Sequence, residues 1–182
     1  VALAGGALDA GCTDLVVAGT LQTSAAPVTR VRNVVIEPGG LIDAGTSSIH
    51  VTGNWINGGS FAAGRSTIVF EDGCSVDLAV ISGSTPFYNL SFASTAGKTW
   101  RLAAGSRQTV TGEFSVQGAH LASSTADAPA YVDAYGARTF VDAEIASSVI
   151  VGPLAVPILG LAGIGILMAA LGAVGMRSRG PG

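Results

Sequence analysis

The chain has 182 residues, 48% hydrophobic and 12% charged, with 26 glycines. That balance is apolar for a soluble domain and too polar for a multi-span membrane protein, so it predicts two unlike parts. All 12 acidic residues precede Ile145 but only seven of the 9 basic ones do, which gives that part a net charge of −5 and no basic patch; nucleic acid is excluded as a partner.

The chain opens on Val1, and Ala2-Leu3-Ala4 has the small-residue character of the end of a secretory leader. We therefore expect residues 1–11 to be a processed N-terminal segment and the following domain to be exported. From Leu15 to Leu121, short β-branched and aromatic runs alternate with Gly, Asn, Ser and Thr. Leu15-Val16-Val17, Val34-Val35-Ile36, Ile49-His50-Val51, Thr67-Ile68-Val69-Phe70, Phe87-Tyr88-Asn89-Leu90 and Thr109-Val110-Thr111 are predicted strands. No stretch in this part carries a 3.6-residue apolar stripe, and the glycine spacing disfavours helix throughout.

A weak repeat runs through these strands. Val51-Thr52-Gly53-Asn54-Trp55 with Gly58 aligns on Val110-Thr111-Gly112-Glu113-Phe114 with Gly118, and Val17-Ala18-Gly19-Thr20-Leu21 echoes its first half. Repetition of this kind predicts stacked rungs of about 20 residues, none able to bury its apolar face alone. The expected fold is all-β: a small parallel β-solenoid (right-handed β-helix) over 12–125 with five or six rungs. An antiparallel β-sandwich is the alternative, since evenly spaced short strands describe it too.

The run Val51-Thr52-Gly53-Asn54-Trp55-Ile56-Asn57-Gly58-Gly59-Ser60-Phe61, followed by Ser66–Phe70 and by Ile81–Leu90, resembles the repeat of bacterial cell-surface β-helix proteins. In that repeat a G-N-W-x-N-x-G-x-F turn leads to a V-x-F strand and an F-Y-N-L strand. The likeness covers about residues 34–118 and implies a parallel β-helix of structural or adhesive use.

Cys12 and Cys74 lie outside any CxxC or His-rich context, so zinc and thiol-redox motifs find no support. In an exported domain they pair as a disulfide or remain two buried thiols, and the sequence leaves both open. After Leu121 the pattern weakens; residues 126–152, with Tyr131, Tyr135 and Phe140, are expected to form a cap and membrane-proximal linker, with an aromatic belt at the lipid surface as the alternative.

From Pro157 to Met176 the chain has 20 residues without a charge, about 30 Å as a helix, followed by Arg177 and Arg179. Residues 153–179 are accordingly expected to be a single transmembrane helix with a basic cytoplasmic end, which puts the β domain outside the bacterial cytoplasmic membrane. Ala162, Gly165, Ala169 and Gly172 recur at three- and four-residue steps and make a helix face with little bulk, suited to packing on another membrane helix. Val156-Pro157-Ile158-Leu159, the apolar run and Arg177-Ser178-Arg179 also resemble the C-terminal sorting signals of bacterial exosortase-type systems, with Ile158 where the better-known versions carry an acidic residue or Thr.

Chemistry is sparse. His50 and His120 are the two histidines, Glu71-Asp72-Gly73 is too small a set for calcium, and Asp43, Asp77 and Glu113 lack a visible partner for acid–base work. Trp55, Trp100, Phe87 and Tyr88 are expected in the packing between rungs, with sugar stacking as their alternative role. No catalytic residue, metal or cofactor is expected. The sequence leads us to expect a non-enzymatic, membrane-anchored scaffold, an accessory subunit whose partners are the bilayer and integral membrane subunits, with photosynthetic or respiratory complexes as one home. A surface-displayed adhesin or matrix protein and a carbohydrate-binding module are the alternatives.

Overall fold

The computed structural model describes residues 1–3, 6–74 and 78–152. The expected membrane helix, its packing residues Ala162, Gly165, Ala169 and Gly172, the flanking Arg177 and Arg179, and Asp77 lie outside the described residues. Within them no helix is long and apolar enough to cross a membrane.

The described chain is an all-β parallel solenoid whose 21 strands fall three to a turn. The first three rungs are β1 (Leu8–Asp9), β2 (Leu15–Val17) and β3 (Thr20–Gln22); β4 (Val28–Val31), β5 (Val34–Ile36) and β6 (Leu41–Asp43); β7 (Ser48–Val51), β8 (Trp55–Asn57) and β9 (Ser60–Ala62). The fourth and fifth are β10 (Thr67–Glu71), β11 (Ala79–Ser82) and β12 (Thr85–Phe87); β13 (Asn89–Ala93), β14 (Thr99–Leu102) and β15 (Arg107–Val110). The last two are β16 (Phe114–Gln117), β17 (His120–Ser123) and β18 (Ala130–Ala134); β19 (Arg138–Val141), β20 (Glu144–Ile145) and β21 (Val149–Gly152). The first face is the 7-stranded sheet β1-β4-β7-β10-β13-β16-β19 and the second the 7-stranded sheet β2-β5-β8-β11-β14-β17-β20. The third is divided into β3-β6-β9 and β12-β15-β18-β21.

Rung length follows from the register. Ile49 pairs with Ile68, 19 residues on, and Leu90 with Phe114, 24 residues on. The ladder continues through 126–152, where β18 to β21 keep parallel register with the rungs before them. Small alanines at the buried positions Ala130 and Ala134 flank Val132 and hide the alternation that marks the earlier strands.

Inward side chains stack in columns one rung apart. On the first face Val28, Ile49, Ile68, Leu90 and Phe114 make one column and Val51, Phe70, Phe92 and Val116 the next, all buried. The aromatic members interlock: Phe70 and Phe92 stack with ring centroids 5.0 Å apart, and Phe92 meets Trp100 edge-on at 5.6 Å. Trp55, buried on the second face, reaches Phe61 at 5.2 Å and Phe87 at 5.5 Å across the core. These are close-packed apolar contacts between neighbouring rungs, so no rung has a core of its own.

The split in the third face has a local cause. The Phe87 carbonyl accepts from Thr111 N on the β15 side, so the adjacent residue, Pro86, directs its missing N–H towards β9. Here the interior turns polar and satisfied: Thr85 Oγ1 accepts from Trp55 Nε1 (3.1 Å) and Asn57 Nδ2 (3.0 Å), while Gln108 Oε1 accepts from Thr85 N (3.2 Å) and its Nε2 donates to the Gly83 carbonyl (2.9 Å). One corner shows the same order in its backbone. Ser24, Gly45 and Gly64 turn it in successive rungs with φ of 57°, 56° and 56°, and a Cβ on Gly45 would lie 2.2 Å from the Ser24 carbonyl oxygen.

Two outcomes follow from the columns. Phe92→Ala is expected to lose about 3–5 kcal/mol of stability by leaving a cavity between three aromatic neighbours, read as a lowered denaturant midpoint. Thr85→Val, which keeps the volume but strands the Trp55 and Asn57 donors, is expected to lose about 1–3 kcal/mol in the same measurement.

Candidate functional site

The corner between the first and second faces concentrates the polar chemistry of the chain. Along its first three rungs runs a ladder of short amide and carboxylate side chains. Asn33 Nδ2 donates to Asp14 Oδ1 (2.8 Å), Asn54 N to Asn33 Oδ1 (2.8 Å), and Val80 N to Asn54 Oδ1 (2.8 Å). Asn33 and Asn54 thus satisfy backbone donors at the bend, and Asp14 holds the Asn33 amide in place.

Over this corner lies a covalent clasp. Cys12 follows β1 in the first rung, Cys74 follows β10 in the fourth, and their sulfurs are bonded, with the α-carbons 5.4 Å apart. Parallel rungs repeat at about 4.8 Å, so the fourth-rung segment must run back along the axis to reach the first. Its path is visible. A Cβ on Gly73 would sit 3.1 Å from Thr52 of the third rung, and Cys74 Sγ lies 4.0 Å from the Arg30 carbonyl of the second, which also accepts from Cys12 N at 2.8 Å.

Three residues here hold left-handed backbone without being glycine: Cys12 (φ 64°), Arg30 (φ 52°) and Cys74 (φ 47°). Each such residue costs roughly 1–2 kcal/mol, which the surrounding bonds must offset. At Arg30 the register of β4 against β7 shifts, a bulge that turns its carbonyl towards both cysteines.

Charge pairs complete the seam. Arg30 binds Asp9 through two guanidinium nitrogens, and Arg32 Nε donates to Asp14 at 2.9 Å. The Arg30 hydrogen bonds, then the N–H of Gly11, hold the Asp9 carboxyl below its ordinary value of 3.8. The Arg32 hydrogen bond does the same for Asp14, against a smaller opposing effect of burial. Beside the clasp, in the fourth rung, burial alone would raise Asp72, but the N–H groups of Thr95 and Ala96 and the hydroxyls of Ser94 and Thr95 in the rung above outweigh it and lower its carboxyl. Lys98, over the Trp100 ring at 5.0 Å, reaches back to the Thr52 carbonyl.

The other residues singled out from sequence are dispersed. His50 Nδ1 meets Glu71 Oε2 at 3.0 Å and His120 Nδ1 lies 3.4 Å from Glu144 Oε2, on different faces. Asp43 takes a 3.5 Å bond from Gln22 and Glu113 accepts from Thr139. Asp72 is committed to three residues of the next rung. Among the described residues no three His, Cys, Asp or Glu side chains are placed to hold a metal ion. Trp55, Trp100 and Phe87 are buried in the columns and present no face to a sugar; Tyr88 is half-buried at a corner. Sequence reasoning missed Arg30 altogether, because nothing in Thr29-Arg30-Val31 marks a bulge.

Breaking the clasp, by reductant or by the paired change Cys12→Ser and Cys74→Ser, is expected to lower unfolding stability by up to about 4 kcal/mol, the chain-entropy value for a loop of this length. Equilibrium denaturation with and without reductant measures it. Asp9, Asp14 and Asp72 bind their protons less tightly folded than unfolded. The stability they lend is therefore complete above the unfolded value of 3.8 and is lost as pH falls through 3.8 towards the lower folded values. A thermal midpoint that declines over that interval, with a smaller decline in Asp72→Asn, is the expected titration.

No family model matches the chain, and no curated protein and no solved structure matches it either.

Proposed function

We propose that this protein is a non-catalytic structural subunit, a rigid solenoid held outside the cytoplasmic membrane by its C-terminal apolar segment, where it braces a larger membrane assembly. The observation that carries the reading is the clasp. A disulfide of this kind persists in oxidising compartments, and this one straps four rungs of a solid-cored ladder together at the end away from the apolar segment.

The fold around it favours stiffness over turnover. The interior is filled by side chains, and its polar atoms around Thr85 and Gln108 bond one another. The acids and bases of the seam bind one another or the backbone and hydroxyl groups of other rungs. A surface of this construction presents fixed rows of side chains one rung apart, suited to docking. The sequence beyond the fold offers a means of attachment, since the 20 uncharged residues from Pro157 to Met176 would span a bilayer as a helix and the spacing of Gly165 and Gly172 would then put both on one face open to a neighbouring helix.

Purification from native membranes in mild detergent, followed by mass spectrometry of the intact chain and its companions, tests the proposal. The expected result is a chain that retains Arg179 and co-migrates in fixed ratio with integral membrane subunits, and that loses them in Gly165→Leu. A chain found alone and truncated near Pro157 would sink the scaffold reading and leave a surface-displayed protein with a sorting signal.

A further inference from the structure

The two ends of the solenoid are finished differently. At the first rung, Val1–Leu3 lies along the third face beyond β3, with Ala2 paired in parallel to Gln22, and Leu3 packs on the core. The last rung has no such cover among the described residues. Each of its strands instead ends a core column: Phe140 follows Val116 on the first face, Ile145 follows Leu121 on the second and Val151 follows Val132 on the third. Phe140 is 45% exposed although it meets Phe114 edge-on at 5.6 Å. Val141 (51%) and Ile150 (47%) of the same rung, and Tyr135 (56%) at the corner leading into it, are also open. Half of the exposed large hydrophobic side chains among the described residues thus fall between Tyr135 and Ile150.

We infer that this end is seated on the lipid surface, with Phe140, Val141, Ile150 and Tyr135 entering the bilayer interface. The inference rests on the membrane anchorage proposed above and adds the orientation of the domain. What points to lipid is where the chain leaves the fold: Gly152 closes β21 in this rung, and the apolar run begins at Val156. Four residues of extended chain span at most about 14 Å, so a membrane-inserted run keeps this end close to the bilayer.

The depth is set by hydrogen bonding. The outer edges of β19, β20 and β21 carry backbone groups that hydrocarbon would leave unpaired, so the seat is shallow, at the level of the headgroups and their water. Arg138, Asp142 and Glu144 occupy the same rung with a net charge of −1, which gives anionic lipid no electrostatic advantage. Tyr and Phe beside aliphatic residues suit that interfacial layer.

The test uses the full chain in phosphatidylcholine vesicles whose acyl chains are brominated either near the glycerol or near the chain terminus. Phe140→Trp reports on the seated end and Val16→Trp, in the first rung, on the opposite one, six rung spacings or roughly 29 Å away. Wild type provides the baseline, because Trp55 and Trp100 are buried. The expected result is blue-shifted added emission from Phe140→Trp, quenched most by the lipid brominated near the glycerol, with no added quenching for Val16→Trp. Co-flotation with vesicles without quenching of Phe140→Trp overturns the seating while leaving the anchorage intact. A blue shift that brominated lipid leaves unquenched assigns the cover to protein, and equal quenching of both variants lays the solenoid on its side; each overturns the inference. Failure to float removes anchorage and seating together.

Discussion

Register between neighbouring rungs is the constraint on which the rest of this structure depends. A rung of 19 to 26 residues has too little apolar surface to fold by itself; Ile68 is buried because Ile49 lies below it and Leu90 above. A slip of one residue would turn a whole column outward and its polar neighbours inward. Several features that look separate serve this one requirement. The Ser24–Gly45–Gly64 corner, the Asp14–Asn33–Asn54 ladder and the Thr85–Gln108 network each bond one rung to the next, and each is satisfied in a single register.

The same constraint explains how much the sequence disclosed. The β-branched runs near Val35, Ile49 and Ile68 stand where period-two alternation predicts strands, because these rungs bury large residues on every inward position. Phe87-Tyr88-Asn89-Leu90 was less legible. It reads as one strand, but Phe87 ends β12, Asn89 begins β13 and Tyr88 turns the corner between them. Two large apolar residues three apart both point inward when the chain bends between them, and a corner of this kind mimics a continuous run. The repeat behaves alike. Val51–Trp55 turns from the first face to the second, Val110–Phe114 from the third to the first, and Val17–Leu21 from the second to the third. All three corners ask for an apolar residue, a small bend and another apolar residue, so the sequence repeats by corner while the structure repeats by rung.

At the clasp the limits were different. Two cysteines 62 residues apart are visible in any reading, but their meeting depends on Asp72–Cys74 running back across two rungs, and that path is drawn by the Arg30 bulge and by Gly73 over Thr52. Neither leaves a pattern in the chain, because a bulge is a property of the pairing. Asp72 shows the same thing on a smaller scale. As part of Glu71-Asp72-Gly73 it reads as a solvated acidic turn, yet its carboxylate caps the bend of the following rung through Ser94, Thr95 and Ala96.

A stack whose stability comes from neighbours is weakest where a neighbour is missing, and the first rung shows how this chain meets that weakness. β1 is two residues long and pairs only with β4, so the covalent bond from Cys12 to the fourth rung holds in place an end that its own hydrogen bonds would leave frayed. Opening the first rung then requires parting from a rung well inside the stack, and the local event becomes a cooperative one. The last rung faces the same physics with Phe140 exposed, Ile145 and Val151 partly buried, and no covalent strap among the described residues. Something apolar outside the solenoid that completed these columns would add to the stability of such an end. Solenoid and surroundings would then share one core, and the stiffness built into the rungs would extend to whatever the last rung rests on.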